Sequence, residues 1–323
     1  MEKRETTGNN AIEVRHLTKK FGEFVAVNDV SFTVKRGVIF GFLGANGAGK
    51  STTIRMLCGL LRPTSGEAVV GGYDVNAETE KVKLNIGYMS QRFSLYDDLT
   101  VEQNIRFFGG VYGLRNSHLD ERLEWVLKMA DLRGREKSLT GTLAGGWKQR
   151  LALGCAILHE PRIVFLDEPT GGVDPISRRA FWELINELSS EGITLLVTTH
   201  FLDEAEYCND IVLINAGKLI AGGSPTELKT QRIKRPILEV TPTGGVVEAL
   251  ETLREKVWAI ETSVFGTSLH VMVDDEEEGR RLIEQTLREK GIGVQHIERI
   301  VPSLEDVFLY VLEKDTPSSQ QAA

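Results

Sequence analysis

One nine-residue stretch constrains this chain more than any other: Gly44-Ala45-Asn46-Gly47-Ala48-Gly49-Lys50-Ser51-Thr52. It fits the pattern G-x-x-x-x-G-K-[ST], a loop whose glycines let successive backbone N–H groups point at one place. The β and γ oxygens of a triphosphate fit such a nest. Lys50 supplies a point charge for them, and the Ser51 hydroxyl suits Mg²⁺. The flanks agree. Residues 38–43, VIFGFL, read as a buried strand, and residues 52–58, TTIRMLC, as the helix whose positive end faces the phosphates. Such a loop needs a sheet edge behind it and a helix in front, which points to an α/β architecture.

Two further segments carry chemistry. Ile163-Val164-Phe165-Leu166-Asp167-Glu168 is an apolar run that stops in two carboxylates. A buried strand ending so delivers acid to the sheet edge, where ligands bind. Asp167 is then placed for Mg²⁺ and Glu168 for taking a proton from water. A turn or cap is the plain alternative. Leu143-Ala144-Gly145-Gly146-Trp147-Lys148-Gln149-Arg150-Leu151 enters a helix through two glycines. It is either a second bare, phosphate-binding helix end or a simple cap.

The last segment resembles the signature Leu-Ser-Gly-Gly-Gln of the ATP-binding cassette (ABC) proteins. With that resemblance, residues 11–222 align throughout. Gln91 matches the Q-loop glutamine, Gly172-Val173-Asp174 the D-loop, and His200 the switch histidine that ends the strand through Val197-Thr198-Thr199. Read alone, a strand-end histidine is more often structural. Phe21 matches the aromatic that stacks on adenine, although a core role suits it equally.

The resemblance implies a P-loop ABC ATPase domain with a RecA-like core, an antiparallel β subdomain and a helical subdomain. It implies ATP and Mg²⁺ as cofactors. ATP contacts fall to Phe21, Gly44, Asn46, Gly47, Ala48, Gly49, Lys50, Ser51 and Thr52, with Ala144, Gly145, Gly146 and Asp174 acting from a second subunit. Metal contacts fall to Ser51, Gln91 and Asp167, and catalysis to Glu168, His200 and Gln91. Two such subunits, identical or different, would dimerise head to tail around ATP and drive separate membrane-spanning permease subunits. The run Leu95–Leu114 and the ending Pro302-Ser303-Leu304-Glu305-Asp306-Val307-Phe308 resemble multidrug-type exporters of the type-2 group. So does the stretch before Leu95, which begins at Ser94. Departures are Ala144 for the signature serine, Trp147 for its glutamine, Ala45 for a common proline, and Gly171-Gly172-Val173 for Ser-Gly-Leu. Trp147 is expected to fill an interface pocket.

Composition narrows the setting. Charged residues make up 26% and hydrophobic residues 41%, the profile of a globular chain. No apolar run reaches the roughly 18 residues a membrane helix needs, and the first residues lack a signal peptide's apolar core. The expected place is the cytoplasmic face of a membrane, held there by the permease. Cys58, Cys155 and Cys208 show no metal-ligand spacing and are expected to pack as small apolar residues. The net charge is −8, of which residues 233–323 hold −7. No basic stripe invites nucleic acid. Asp274-Asp275-Glu276-Glu277-Glu278 reads as a solvated helix start, with a Ca²⁺ site a poor second.

The expected organisation is a flexible start (1–10), the ATP-binding domain (11–225), a linker (226–235), an accessory or regulatory domain (236–313) and a disordered tail (314–323). In the accessory domain, strands at 237–241, 258–264, 268–273 and 293–299 with helices at 245–256 and 276–290 give βαββαβ, the ferredoxin-like order. A last helix follows at 303–313. Two rival readings remain: an ABC ATPase acting on ribosomes or nucleic acid, and a weakly active cassette that binds ATP for regulation. The first usually brings two cassettes or a coiled-coil insertion. The second rests on Ala144.

Overall fold

The computed structural model describes residues 8–91 and 95–315. The chain forms two compact units, residues 1–224 and 225–323.

In the first unit, three strands are buried along their whole length: β3 (Ile39–Leu43), β7 (Ile163–Asp167) and β8 (Thr194–Thr199). Continuous apolar runs of this kind suit parallel strands covered on both faces. With β6 (Ile86–Met89), β9 (Asp210–Asn215) and β10 (Lys218–Gly223) they form a six-stranded sheet, order β10-β9-β3-β8-β7-β6. Every pairing is parallel except the β9–β10 edge. A second, antiparallel sheet runs β2-β1-β4-β5, from β1 (Asn10–Phe21), β2 (Phe24–Lys35), β4 (Ser65–Val70) and β5 (Tyr73–Asp74). One core joins the sheets. Phe32 of the antiparallel sheet stacks on Phe40 of β3 at 5.6 Å, and Ile12, Leu17 and Ile54 are fully buried around them.

The helices of this unit are α1 (Lys50–Leu57), α2 (Thr79–Asn85), α3 (Val101–Val111), α4 (Asn116–Met129), α5 (Gly145–Ala156) and α6 (Pro175–Ser190). Thr100 and Gln103 form a reciprocal capping box at the start of α3. An apolar stripe at Leu123, Val126, Leu127 and Ala130 is buried against Ile105 and Leu151, while Leu119 on the same helix is half-buried. All three cysteines are free and buried.

The second unit opens with a short helical turn, α7 (Pro225–Glu227), continued by a π-type turn over Leu228–Arg232. Much of the expected linker is therefore helical. The sheet order is β12-β13-β11-β14, all antiparallel, from β11 (Ile237–Pro242), β12 (Glu261–Phe265), β13 (Ser268–Met272) and β14 (Val294–Ile300). Helices α8 (Val246–Arg254) and α9 (Glu276–Glu289) supply the crossovers, completing the ferredoxin-like arrangement. Asp275 caps α9 by accepting the Glu278 N–H, and three glutamates fill its first turn. The acidic run is thus a helix start.

Three of the boundaries that differ from the sequence reading have a visible cause or consequence. Helix α1 begins at Lys50, two residues early, because Gly49 takes up the bend as its N-cap. Strand β12 starts at Glu261 because a turn, with the Ala259 N–H on the Lys256 carbonyl, occupies the preceding residues. Helix α10 (Leu304–Asp315) runs into the expected tail. Residues 1–7, 316–323 and the stretch containing Ser94 lie outside the described residues.

Candidate nucleotide site

The carboxyl ends of β3, β7 and β8 lie side by side, since these strands are parallel neighbours in register. Each hands its next residues to the same edge, the place where open α/β sheets bind ligands. From β3 comes the loop 44–49 and then α1. Gly49 sits at φ 109°, and a Cβ there would come within 2.5 Å of the Ala26 carbonyl. A Cβ at Gly44 would come within 2.2 Å of the Ile214 carbonyl. Glycine at both positions is a steric requirement of the curled loop.

Lys50 is the first residue of α1, and its side chain is 3% exposed. Its Nζ donates to the carbonyls of Gly44 at 2.8 Å and Ala45 at 3.1 Å, and lies 3.1 Å from Oε1 of Glu168. The next hydroxyl, Ser51 Oγ, donates to Oδ1 of Asp167 at 2.9 Å. Thr198 Oγ1 donates to the same oxygen at 2.8 Å. Among the described residues no hydrogen bond is made by the other oxygen, Oδ2. The charge of Asp167 is felt nearby. Burial pushes the Tyr88 hydroxyl up to about 12, with Asp167 and Cys58 adding to the effect. Burial raises the Cys58 thiol as well, and Asp167 adds again.

Glu168 follows the last residue of β7 with φ 48°, a left-handed backbone that a non-glycine residue adopts only when its surroundings enforce it. The enforcement is visible. Its N–H donates to the carbonyl of Thr198 at 3.1 Å and to the Thr198 hydroxyl at 2.9 Å. This turn sends the carboxylate away from Asp167 and into a cluster. Gln91 Nε2 donates to Oε2 at 3.0 Å, and His200 Nδ1 stands 3.3 Å from the same oxygen. Lys50, Gln91 and His200 therefore converge on one carboxylate that is 8% exposed.

The remaining expected residues lie apart from this cluster. Phe21, at the end of β1, is half exposed with the Lys19 ammonium 5.1 Å from its ring. Ala144 is the N-cap of α5 and makes no side-chain bond. Gly145 and Gly146 open that helix. A Cβ on Gly146 would come within 2.6 Å of Ser177 Oγ, so the glycine permits α5 and α6 to approach closely. Ala144, Gly146, Trp147, Arg150 and Ser177 line a cavity of about 210 Å³. Trp147, one of the cavity's walls, has the Arg135 guanidinium over its ring at 3.9 Å and packs on the helical core. Asp174 caps α6, accepting from the N–H groups of Ile176 and Ser177. The Ser177 hydroxyl and N–H hold its carboxyl below the usual range. A larger cavity of about 540 Å³, with Arg36, Arg162 and Thr194 among its walls, sits at the amino ends of β7 and β8. That is the sheet end opposite the loop, so volume does not locate this site.

Sequence reasoning missed Thr198, which holds both Asp167 and the backbone of Glu168. A threonine two positions before His200, in a run fully buried to its end, was the available signal.

Both units resemble known protein families. A family model described as "ABC transporter" matches residues 27–171. A model for the C-terminal domain of ATP-binding protein DrrA1-3-like matches residues 223–312. The chain is 55% identical over 226 residues to the probable multidrug ABC transporter ATP-binding protein YbhF of Escherichia coli. That match covers 70% of this chain and 39% of the relative, so the chain spans well under half of that protein. It is 34% identical to the linearmycin resistance ATP-binding protein LnrL of Bacillus subtilis, over 92% of this chain and 97% of the relative. It is 36% identical to the Nod factor export ATP-binding protein I of a Rhizobium species, over 93% and 96%. Among solved structures, an ATP-binding subunit of an ABC transporter superposes with a TM-score of 0.62 at 33% identity, covering 68% of this chain and 92% of that one. A dimeric ATP-binding cassette in a post-hydrolysis state, bound to ADP and Pi, gives 0.60 at 27%, covering 66% and 98%.

Proposed function

Because this chain belongs to the family of ABC transporter ATP-binding proteins, we propose that it hydrolyses ATP to power an exporter. In this reading it pairs with a second ATP-binding subunit and acts on separate membrane-spanning permease subunits, at the cytoplasmic face. The observation that carries the proposal is the convergence of Lys50, Gln91 and His200 on Glu168, next to the Ser51–Asp167 pair. Relatives named for multidrug transport, linearmycin resistance and Nod factor export support the exporter assignment. The ferredoxin-like second unit fits it too. No helix among the described residues is long and apolar enough to cross a membrane, which is why the pathway is assigned to other chains.

The residues divide the work. Backbone N–H groups of the loop 47–51 and the Lys50 ammonium take the triphosphate. Lys50 already leans on Glu168, so a triphosphate competes with that carboxylate for one cation. Once Lys50 turns to phosphate, Glu168 is left with Gln91 and His200 and can accept a proton from the attacking water. His200 and Gln91 orient that carboxylate. Ala144, Gly145, Gly146 and Asp174 serve the nucleotide of the partner subunit, and Phe21 the adenine.

The donor set fits Mg²⁺. Ser51 Oγ and the unengaged oxygen of Asp167 are hard oxygen ligands side by side, with Gln91 as a third. Mg²⁺ bound through one carboxylate and substrate phosphates needs no all-protein cage. When bound, the ion would neutralise charge developing on the phosphate oxygens. The rival readings lack support here, since no observation favours ribosome, nucleic-acid or purely regulatory action.

Phosphate release from ATP, measured with and without Glu168→Gln, tests the proposal. Release that depends on Glu168 is expected. Release that is identical in both proteins contradicts it.

A further inference from the structure

Four residues beyond His200, a second carboxylate lies fully buried. Glu204 has no exposed surface, although it sits in a short 3₁₀ turn, Glu204–Tyr207. The Thr170 hydroxyl donates to its Oε1. Arg178, one turn into α6, places Nε 3.5 Å from the same oxygen. Oε2 of Glu204 and Nε of Arg178 have no hydrogen-bond partner among the described residues. A buried carboxylate this poorly satisfied is costly, and the phosphate-site chemistry described above gives it no task.

Its position supplies one. The Arg178 guanidinium also covers the Phe201 ring at 4.0 Å, and Phe201 packs against the His200 ring with centroids 4.1 Å apart. Thr170 is two residues after Glu168, and the Glu168 carbonyl accepts the N–H of Gly171. One continuous stack thus runs Glu204, Arg178, Phe201, His200, and returns to Glu168 through Thr170. The Arg178 guanidinium also lies 3.9 Å from Oδ2 of Asp203, so a shift of the arginine would disturb both carboxylate contacts and the ring that backs the histidine.

We propose that Glu204 and Arg178 are positioning residues for His200: their buried pair clamps Phe201 behind the imidazole and so sets its distance to Glu168. The inference rests on the ATPase reading only for its kinetic consequence. The clamp itself is a statement about His200. It predicts that charge at position 204 is needed, because a neutral isostere keeps the Thr170 bond and weakens the grip on Arg178, leaving the longer contact to the exposed Asp203.

The test uses the full chain with ¹⁵N-labelled histidine, the His200 signal being assigned through His200→Ala. Glu204→Gln and Arg178→Gln should each shift the His200 ring signals and leave those of His16 and His270 in place. Arg178→Lys keeps charge without the flat stack, and should fall between parent and Arg178→Gln. The double variant Glu204→Gln/Arg178→Gln should recover the melting temperature of the parent without recovering the His200 signals. In ATP turnover, each single variant should lower kcat about tenfold with KM unchanged. Unshifted His200 signals in folded Glu204→Gln protein overturn the clamp, whatever the turnover. Recovery of both stability and His200 signals in the double variant also overturns it, leaving a purely structural pair. Shifted signals in a chain whose turnover ignores Glu168 would instead leave the clamp standing and remove the ATPase reading.

Discussion

The two units treat buried charge in opposite ways. In the first, Lys50, Asp167, Glu168 and Glu204 are all buried, and the first three meet at one sheet edge. Their mutual bonds are incomplete: one oxygen of Asp167 makes no hydrogen bond among the described residues, and Glu168 is shared by Lys50, Gln91 and His200. In the second unit, His270 and Asp306 form a buried pair. His270 Nδ1 lies 2.8 Å from Asp306 Oδ1, and the Ser303 N–H and hydroxyl both donate to Oδ2 at 2.7 Å. The Asp306 N–H returns a bond to Ser303 Oγ at 3.1 Å, closing a reciprocal cap on α10. Phe265 stacks on the imidazole at 3.7 Å. That network is closed and fastens a helix to a sheet. The open network is shaped for something to enter. At Lys50, Asp167 and Glu168 the partly satisfied groups stand where a ligand would complete the bonding, whereas at His270 and Asp306 the fold completes it.

Four substitutions would break or sharpen this contrast. The largest effect is expected from Glu168→Gln, which removes the proton acceptor and keeps the shape. Phosphate release should fall by about 10² to 10⁴ while ATP binding persists. Lys50→Ala comes next. It strips the cation from the phosphate loop, so ATP affinity, read by titration with a fluorescent analogue, should drop by roughly 10- to 150-fold, the worth of a charged hydrogen bond. In the second unit, His270→Ala should cost about 1–3 kcal/mol of stability in chemical denaturation and leave ATP affinity unchanged. A loss of ATP affinity there would dissolve the distinction between the units. The smallest effect is Ala144→Ser. It adds the missing side-chain cap to α5 and should stabilise by about 1 kcal/mol, with turnover equal to or modestly above the parent. Lower stability and lower turnover together would mean that Ala144 serves an apolar contact.

The closed network also carries a pH signature. Burial alone would raise the Asp306 carboxyl, but the bonds from His270 and Ser303 outweigh it and hold it below the usual carboxylate range. A carboxyl depressed on folding stabilises above its unfolded value, about 3.9. That contribution is lost as pH falls through the lower folded value. Denaturation of the second unit should therefore lose the His270→Ala effect progressively below about pH 4.

The sequence made legible whatever depends on local spacing. The phosphate loop, the acid-ended strand through Asp167 and Glu168, and the βαββαβ order are contiguous patterns, and each appears in the structure. The roles decided by chain crossings were hidden. Nothing local says that Glu168 adopts a left-handed backbone, because Thr198, thirty residues away, imposes it. Nothing local says that Arg135 covers the Trp147 ring, because Arg135 lies outside the helix that presents the tryptophan. Glu204 passed unnoticed in a short polar turn whose burial depends on Thr170 and Arg178. Helix α1 starts at Lys50 for a local reason: the loop's last glycine, Gly49, is already its N-cap.

The central claim is that every group that handles ATP within one chain belongs to the first unit. ATP titration of a chain ending at Ser224, with light scattering and circular dichroism to verify that it is folded and monodisperse, tests this most directly. The account predicts an affinity within about twofold of the full chain, since Gly44–Thr52, Gln91, Asp167, Glu168 and His200 all precede the cut and the first unit is compact by itself. A folded, monodisperse first unit that fails to bind ATP would contradict it, and would give the second unit a part in the nucleotide site.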